Sequence, residues 1–209
     1  SEFLLPEINL GGDKPVKTDI PTHGTSMAQT LLKGAEIGNN GQSESSIRIL
    51  PVDVYGGSET TSTFQVAQGI YEAVNAGASI INLSLGGNET VPLMEQMIHE
   101  ASLQGVLFVG AAGNSPTTEP TFPAAYPDVL AVTAATQNGQ VAPYANTGDF
   151  VDVMVPGRSF IEHNGTTFMI NGTSASAAYV SGLAASISAN SGRPVREVEM
   201  ELRQKLPKP

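Results

Sequence analysis

The chain has 209 residues, a net charge of −10, 22 glycines, 14 prolines and no cysteine. That length suits one sizeable core, the negative charge disfavours nucleic acid or an anionic membrane surface as a partner, and the missing cysteine excludes disulfides and thiolate metal sites. Apolar runs are too short for a membrane span, and the start, Ser1-Glu2-Phe3, reads as a processed end without a signal peptide.

Pro6, Gly11, Gly12, Pro15 and Pro21 break residues 1–22 into an irregular segment with room for one short strand, Leu4–Leu10. His23-Gly24-Thr25 then leads into helical spacing as far as Leu32, and Asn39–Ser43 reads as a loop. Ile47–Val54 is an apolar, β-branched run that predicts a strand, and Phe64–Asn75 predicts a helix stopped by Gly77. Ser79–Leu85 predicts a buried strand ending at Gly86-Gly87. A helix follows over Leu93–Leu103, then strands over Val106–Ala111, Val129–Thr133, Phe150–Val155 and Thr166–Ile170. The last elements are a helix of small and apolar residues, Ser174–Ala189, and an amphipathic helix, Val195–Leu206. Strands that are apolar throughout and alternate with helices imply an α/β fold: three layers, doubly wound, a mostly parallel sheet with helices on both faces. Residues 1–209 are expected to form a single domain.

In such a sheet, binding sites gather at the carboxyl ends of the strands. Three glycine-rich segments follow strands here: Ser84-Leu85-Gly86-Gly87, Ala111-Ala112-Gly113-Asn114, and Asn171-Gly172-Thr173 ahead of Ser174. None matches a dinucleotide or phosphate-loop fingerprint. Ser174 opens a buried helix, where it reads either as an N-cap or as a nucleophile beside free backbone N–H donors. Of the three histidines, His99 reads as solvated and His163 lies in a turn with Asn164-Gly165. His23 opens a helix and reads as structural unless it is joined to other groups.

Taken together, these segments resemble the subtilisin-like serine proteases, from about His23 to about Ile187. The resemblance rests on six motifs in the family's order: His23-Gly24-Thr25, Ser84-Leu85-Gly86-Gly87, Ala111-Ala112-Gly113-Asn114, Phe122-Pro123-Ala124-Ala125-Tyr126-Pro127, Asp152-Val153-Met154-Val155-Pro156-Gly157, and Asn171-Gly172-Thr173-Ser174. It implies a serine endopeptidase with Ser174 as nucleophile, His23 as general base and Asn114 as oxyanion donor. It further implies that Ser84, Leu85, Gly86, Gly87, Ala112, Gly113 and Thr121 bind a peptide or protein substrate, by adding its strand to an exposed edge. An extracellular or cell-envelope setting follows from the same resemblance.

Departures from the family pattern define further expectations. The family's order is Asp, His, Ser, yet no strand ending in Asp-Ser-Gly or Asp-Thr-Gly precedes His23. Asp13 and Asp19 are the aspartates available upstream, and both read primarily as turn residues. The absent strand would be a shared neighbour of Ile47–Val54 and Ile80–Leu85. Leu4–Leu10 takes its place, the two strands close up, or a complementing segment or chain supplies it together with the aspartate. The alternative is a pseudoprotease that binds peptide or protein without turnover. The resemblance also implies truncation at both ends, so the chain reads as a degenerate form or as the core of a longer protein. Thr121, where relatives often have glycine, should make the specificity pocket shallow. Phe122-Pro123 is a candidate cis bond by resemblance. No cofactor or metal is expected: Asn39-Asn40-Gly41 resembles part of a calcium loop, but the upstream ligands are absent and such sites need six to eight oxygens.

Overall fold

A computed structural model describes residues 3–12, 19–38 and 46–209. Asp13 and Asn39-Asn40-Gly41 fall outside the described residues. The elements run β1 (Ile8–Asn9), α1 (His23–Gly38), β2 (Val52–Asp53), α2 (Thr63–Asn75), β3 (Ile80–Leu83), α3 (Pro92–Leu103) and β4 (Leu107–Ala111). They continue with β5 (Val129–Ala135), β6 (Val153–Pro156), β7 (Arg158–His163), β8 (Thr166–Asn171), α4 (Thr173–Ser191) and α5 (Val195–Lys205).

Strands β3, β4, β5 and β6 form one parallel sheet in that order, with Ile80 opposite Leu107, Phe108 opposite Val129 and Val132 opposite Val153. Alternate side chains of β4 feed two separate cores. Phe108 packs with Val66 and Ile70 of α2 and with Met94 and Ile98 of α3. Leu107 and Val109 pack on the opposite face with Ala177, Val180 and Ala184 of α4 and with Val198 and Leu202 of α5. Covering both faces is what makes these strands predominantly apolar, with Asn82 and Thr133 as the hydrogen-bonded polar exceptions in β3 and β5. Each large side chain buried this way is worth about 1.5–3 kcal/mol of transfer free energy. The arrangement is the three-layer α/β fold that the alternating pattern predicts, and no described helix is long and apolar enough to cross a membrane.

The N-terminal strand departs from expectation. β1 pairs in parallel with β2, Ile8 opposite Val52, as a two-stranded sheet of its own. Among the described residues, nothing bonds β2 to β3, although Val54 and Ile81 lie in the same core. Leu4–Leu10 therefore does not bridge the two sheets, and the strands flanking the expected position have not closed up. A second difference is β7, which pairs antiparallel with β8 across the Asn164-Gly165 turn. Asn164 and Gly165 both have positive φ (50° and 76°), as a two-residue hairpin turn of the primed type requires. The segment before that turn is a strand rather than connecting chain.

Helices α1 and α4 run side by side with their N-termini at the same end. Met27 packs on Ala175 and Ala178, and further along a Cβ on Gly182 would fall 1.8 Å from the Leu31 carbonyl oxygen. On the other helix a Cβ on Gly34 would fall 2.1 Å from the Tyr179 carbonyl oxygen. The backbones touch at these two glycines, and no side chain fits between them. We expect Gly182→Ala to force the helices apart and to lower stability by about 1–3 kcal/mol, the usual cost of overpacking, as measured by denaturant unfolding. An unchanged midpoint would show that the contact is not tight.

At the opposite end of the sheet, Asp128 ties α3 to α5. Its carboxylate bonds His99 Nδ1 at 2.8 Å and the Ser102 hydroxyl at 2.9 Å, and lies 3.9 Å from Arg196. His99 is thus exposed, as its sequence context implies, but tethered. Burial pushes the Asp128 carboxyl up; the hydrogen bonds from His99 and Ser102 and the charges of His99 and Arg196 outweigh this and hold it below the ordinary carboxylate value. A depressed folded-state pKa contributes stability that is present above the unfolded value and lost as pH falls through the folded one. Asp128→Asn should therefore lower Tm at neutral pH, with the difference from the parent shrinking as pH falls below about 4. A Tm difference independent of pH would contradict this account.

Candidate active site

Four loops at the carboxyl end of the sheet meet in a cleft of about 490 Å³. Its walls are Leu85, Gly86 and Gly87 after β3 and Ala111, Gly113 and Asn114 at the end of β4; Thr121 and Ser174 also line it.

Ser174 does not cap its helix. The cap of α4 is Gly172, which has no side chain to offer, and Ser174 occupies the second helical position. There its backbone N–H precedes the first intrahelical bonds, and among the described residues it has no acceptor. Gly172 has φ +150°, a conformation that side-chain-bearing residues rarely adopt. The sharp entry into the helix therefore depends on that glycine. The Ser174 hydroxyl points to the Ser84 carbonyl oxygen at 3.4 Å.

His23 is the first residue of α1. The Thr22 hydroxyl caps the helix by accepting from Thr25 N–H at 3.1 Å. His23 Nε2 lies 3.2 Å from the same Ser84 carbonyl oxygen that the Ser174 hydroxyl approaches. One carbonyl at the end of β3 thus gathers the imidazole and the hydroxyl. Ser84 is itself anchored: its hydroxyl donates to the Ser174 carbonyl at 3.0 Å and accepts from Asn82 Nδ2 at 2.9 Å. His23 is exposed, and among the described residues no carboxylate bonds to it. Asp19 lies in an exposed bend and does not reach it.

The Asn114 carboxamide has a defined orientation. Its Oδ1 accepts from Thr173 N–H at 2.9 Å and from the Thr173 hydroxyl at 3.2 Å. Only the oxygen can accept, so these bonds assign the amide. The Nδ2 group is left without an acceptor among the described residues, on the cleft side with Ser174. Thr173 also accepts from Gly113 N–H through its hydroxyl at 3.0 Å. Thr173, fully buried, therefore locks the end of β4 to the start of α4.

The remaining expected residues divide into two groups. Leu85 and Gly86 present backbone groups that bond to nothing among the described residues, as an edge awaiting a strand would. Gly87 is already paired: its N–H donates to the Phe122 carbonyl and its carbonyl accepts from Phe122 N–H, both at 2.8 Å. Ala112 is fully buried, with its N–H bonded to the Val132 carbonyl at 2.9 Å, and it does not line the cleft. Thr121 is 7% exposed and does line it. The Phe122–Pro123 peptide is cis. No three His, Asp or Glu side chains gather among the described residues in a way that could hold a cation.

A sequence model of the Subtilase family matches residues 2–206. The chain belongs to the subtilase family. Subtilisin Savinase of Lederbergia lenta is 34% identical over 189 residues, which cover 86% of this chain and 70% of Savinase. M-protease of Shouchella clausii (strain KSM-K16) is 34% identical over 189 residues, covering 86% of this chain and 50% of its own length. The chain thus spans only about half of some of the subtilases it matches. The solved structure of the prenylagaramide maturation protease PagA superposes with a TM-score of 0.75 at 29% identity, over 94% of this chain and 74% of that one.

Two residues of this subtilase cleft carry more structure than their sequence context announces. Thr173 is hidden inside the Gly-Thr-Ser turn, where a threonine reads as generic turn chemistry. Asn146 lies between Ala145 and Thr147 with no motif around it, so its residue type alone carries no signal. Replacing Thr173 with Val keeps the backbone bond to Asn114 but removes both hydroxyl bonds. We expect a loss of about 1–3 kcal/mol in stability, the penalty for a buried donor left unpaired, read by denaturant unfolding. No loss would mean that the hydroxyl bonds do not hold β4 to α4.

Proposed function

We propose that this subtilase chain is the core of a serine endopeptidase with Ser174 as nucleophile, His23 as general base and Asn114 as oxyanion donor. The observation that carries the reading is the fixed Asn114 amide: its Oδ1 is held by Thr173, which leaves its Nδ2 and the Ser174 N–H without acceptors among the described residues in a cleft that both residues line.

The Ser174 oxygen attacks the scissile carbonyl carbon and its proton passes to His23 Nε2. The carbonyl electron pair moves onto oxygen, where Asn114 Nδ2 and Ser174 N–H receive it. Collapse of the tetrahedral adduct breaks the C–N bond, and His23 returns the proton to the departing amine. Water then repeats the sequence on the acyl ester, releasing the acid and regenerating Ser174. Both reacting side chains rest on the Ser84 carbonyl in the free protein, and the mechanism requires them to exchange that contact for one with each other. Such bonds commonly tighten only in the substrate complex. Leu85 and Gly86 supply the strand edge for a peptide or protein substrate, and we assign the activity to an extracellular or cell-envelope setting.

The lack of any pairing between β2 and β3 among the described residues supports a second part of the proposal. A strand inserted there in parallel would end beside Ser84, and hence beside His23. A terminal aspartate on that strand would meet the imidazole nitrogen opposite Nε2. This complementing strand lies on the same polypeptide or on another. In subtilisin itself, loss of the aspartate lowers turnover by about 3 × 10⁴, and loss of the asparagine donor costs about 2.7–4 kcal/mol; both figures belong to that enzyme and are not deduced from this chain.

A fluorophosphonate probe tests the assignment. Labelling should fall on Ser174, disappear in Ser174→Ala and His23→Ala, and slow by about 10²–10³ in Asn114→Ala. Adding a strand-length apolar peptide that ends in Asp should accelerate it, whereas the same peptide ending in Asn should accelerate it far less. Folded protein that takes no label, with or without either peptide, would overturn the protease reading. It would leave a peptide-binding pseudoprotease, the reading favoured by the absence of a carboxylate on His23 among the described residues.

A further inference from the structure

Asn146 belongs to none of the motifs, yet its polar groups hold both ends of the cleft loop that follows β4. It lies in the loop between β5 and β6 and is 2% exposed. Its backbone N–H donates to the Gly113 carbonyl at 2.9 Å, and its Oδ1 accepts from Ser115 N–H at 2.7 Å. The residues on either side of Asn114 are therefore both held by this one residue. Its own carbonyl accepts from the Thr133 hydroxyl of β5 at 2.6 Å, which anchors it to the sheet.

The other end of the carboxamide acts on the pocket. Asn146 Nδ2 donates to the Thr121 hydroxyl at 3.0 Å. Thr121 spans the slot between the two walls of the cleft. A Cβ on Gly86 would lie 3.0 Å from the Thr121 methyl, and a Cβ on Gly113 would lie 3.5 Å from its hydroxyl. A threonine whose hydroxyl is held on one wall must present its methyl to the other, because its χ1 angle sets both groups at once. Freed of that bond, the side chain can turn and the slot can open. Gly113 leaves room for this arrangement: with φ +108°, a Cβ there would fall 2.5 Å from Asn146 Nδ2.

We infer that Asn146 is a positioning residue for both parts of this cleft: it aligns the backbone that carries Asn114 and holds the Thr121 methyl across the specificity pocket, so that only small side chains enter. Charge stabilisation and substrate choice are thereby tied to one carboxamide that acts through its neighbours. The inference rests on the protease reading above.

Two peptidyl diphenylphosphonates, one with an alanine side chain and one with a phenylalanine side chain at the residue bearing phosphorus, read both effects as rates of Ser174 modification. The parent chain should favour the alanine probe. Asn146→Ala should slow the alanine probe by about tenfold or more, as misplacement of a reacting group does. It should also raise the phenylalanine-to-alanine ratio by about tenfold, within the range a hydrophobic pocket discriminates. Asn146→Asp should restore the alanine preference, because its oxygens can accept from both Ser115 N–H and the Thr121 hydroxyl. In a Thr121→Gly background, Asn146→Ala should still slow both probes but no longer change their ratio, as expected when one residue acts through the other. Should Asn146→Ala fail to fold, Asn146→Ser, too short to reach both partners, carries the same expectations. With Thr121 in place and a parent that labels, an unchanged ratio in Asn146→Ala, whether or not both probes slow, overturns the inference alone. Failure of the parent to react with either probe overturns the protease reading and this inference with it.

Discussion

The site depends on how closely two helices approach. His23 and Ser174 lie far apart in sequence, and each stands in the first turn of its helix. Their meeting is decided by how α1 and α4 are stacked. At Gly34 and Gly182 the helices touch backbone to backbone, leaving no space for even a methyl group. Interiors packed this tightly do not deform gradually, so the contact fixes both separation and register. With the register set, the two N-termini open on the same side of the sheet, above Ser84. The composition of α4 follows from this: a helix buried against α1 on one side and against β4 and β5 on another needs small residues nearly all round.

The same stacking explains how the cleft stays formed although β2 and β3 are not bonded to each other among the described residues. The strand expected between β2 and β3 would join the two sheets, yet the groups that shape the site lean on other supports. Asn114 is held by Thr173, Ser84 by Asn82 and by the carbonyl of Ser174, and Thr121 by Asn146. All of these bonds lie on the β3–β6 side or on α4. His23 is different. It sits on α1, and its ring bonds only Ser84 among the described residues. An open sheet edge of this kind is a template for another strand, and it lies next to the one candidate catalytic side chain with least support.

Much of the fold was legible because parallel strands covered on both faces are apolar without interruption. Leu107–Ala111 and Val129–Val132 could hardly be read otherwise. β7 was not read, because Arg158, Phe160 and Glu162 alternate with Ser159 and Ile161 and so break the apolar run. Its signals were the period-two alternation and the Asn-Gly turn behind it. At the candidate site, motif order pointed to Ser174, His23 and Asn114, which lie together at the carboxyl end of the sheet. It could not separate groups facing the cleft from those beside it. Gly87 and Ala112 sit within the motifs, but one is paired with Phe122 and the other is fully buried. Register along a loop decides that difference, and composition does not report register.

Asn146 escaped for a deeper reason. A residue that acts by holding others needs only the right donors and acceptors in the right place, and any loop of suitable length can deliver them. No local pattern marks it; what marks it is a buried carboxamide whose side-chain bonds all go to one loop of the cleft. A buried polar side chain is costly unless both its oxygen and its nitrogen are satisfied. Asn146 meets that requirement only through Ser115 and Thr121. Those two residues lie at either end of the segment 115–121 after β4, so the condition for burying Asn146 is also the condition for keeping that segment in shape.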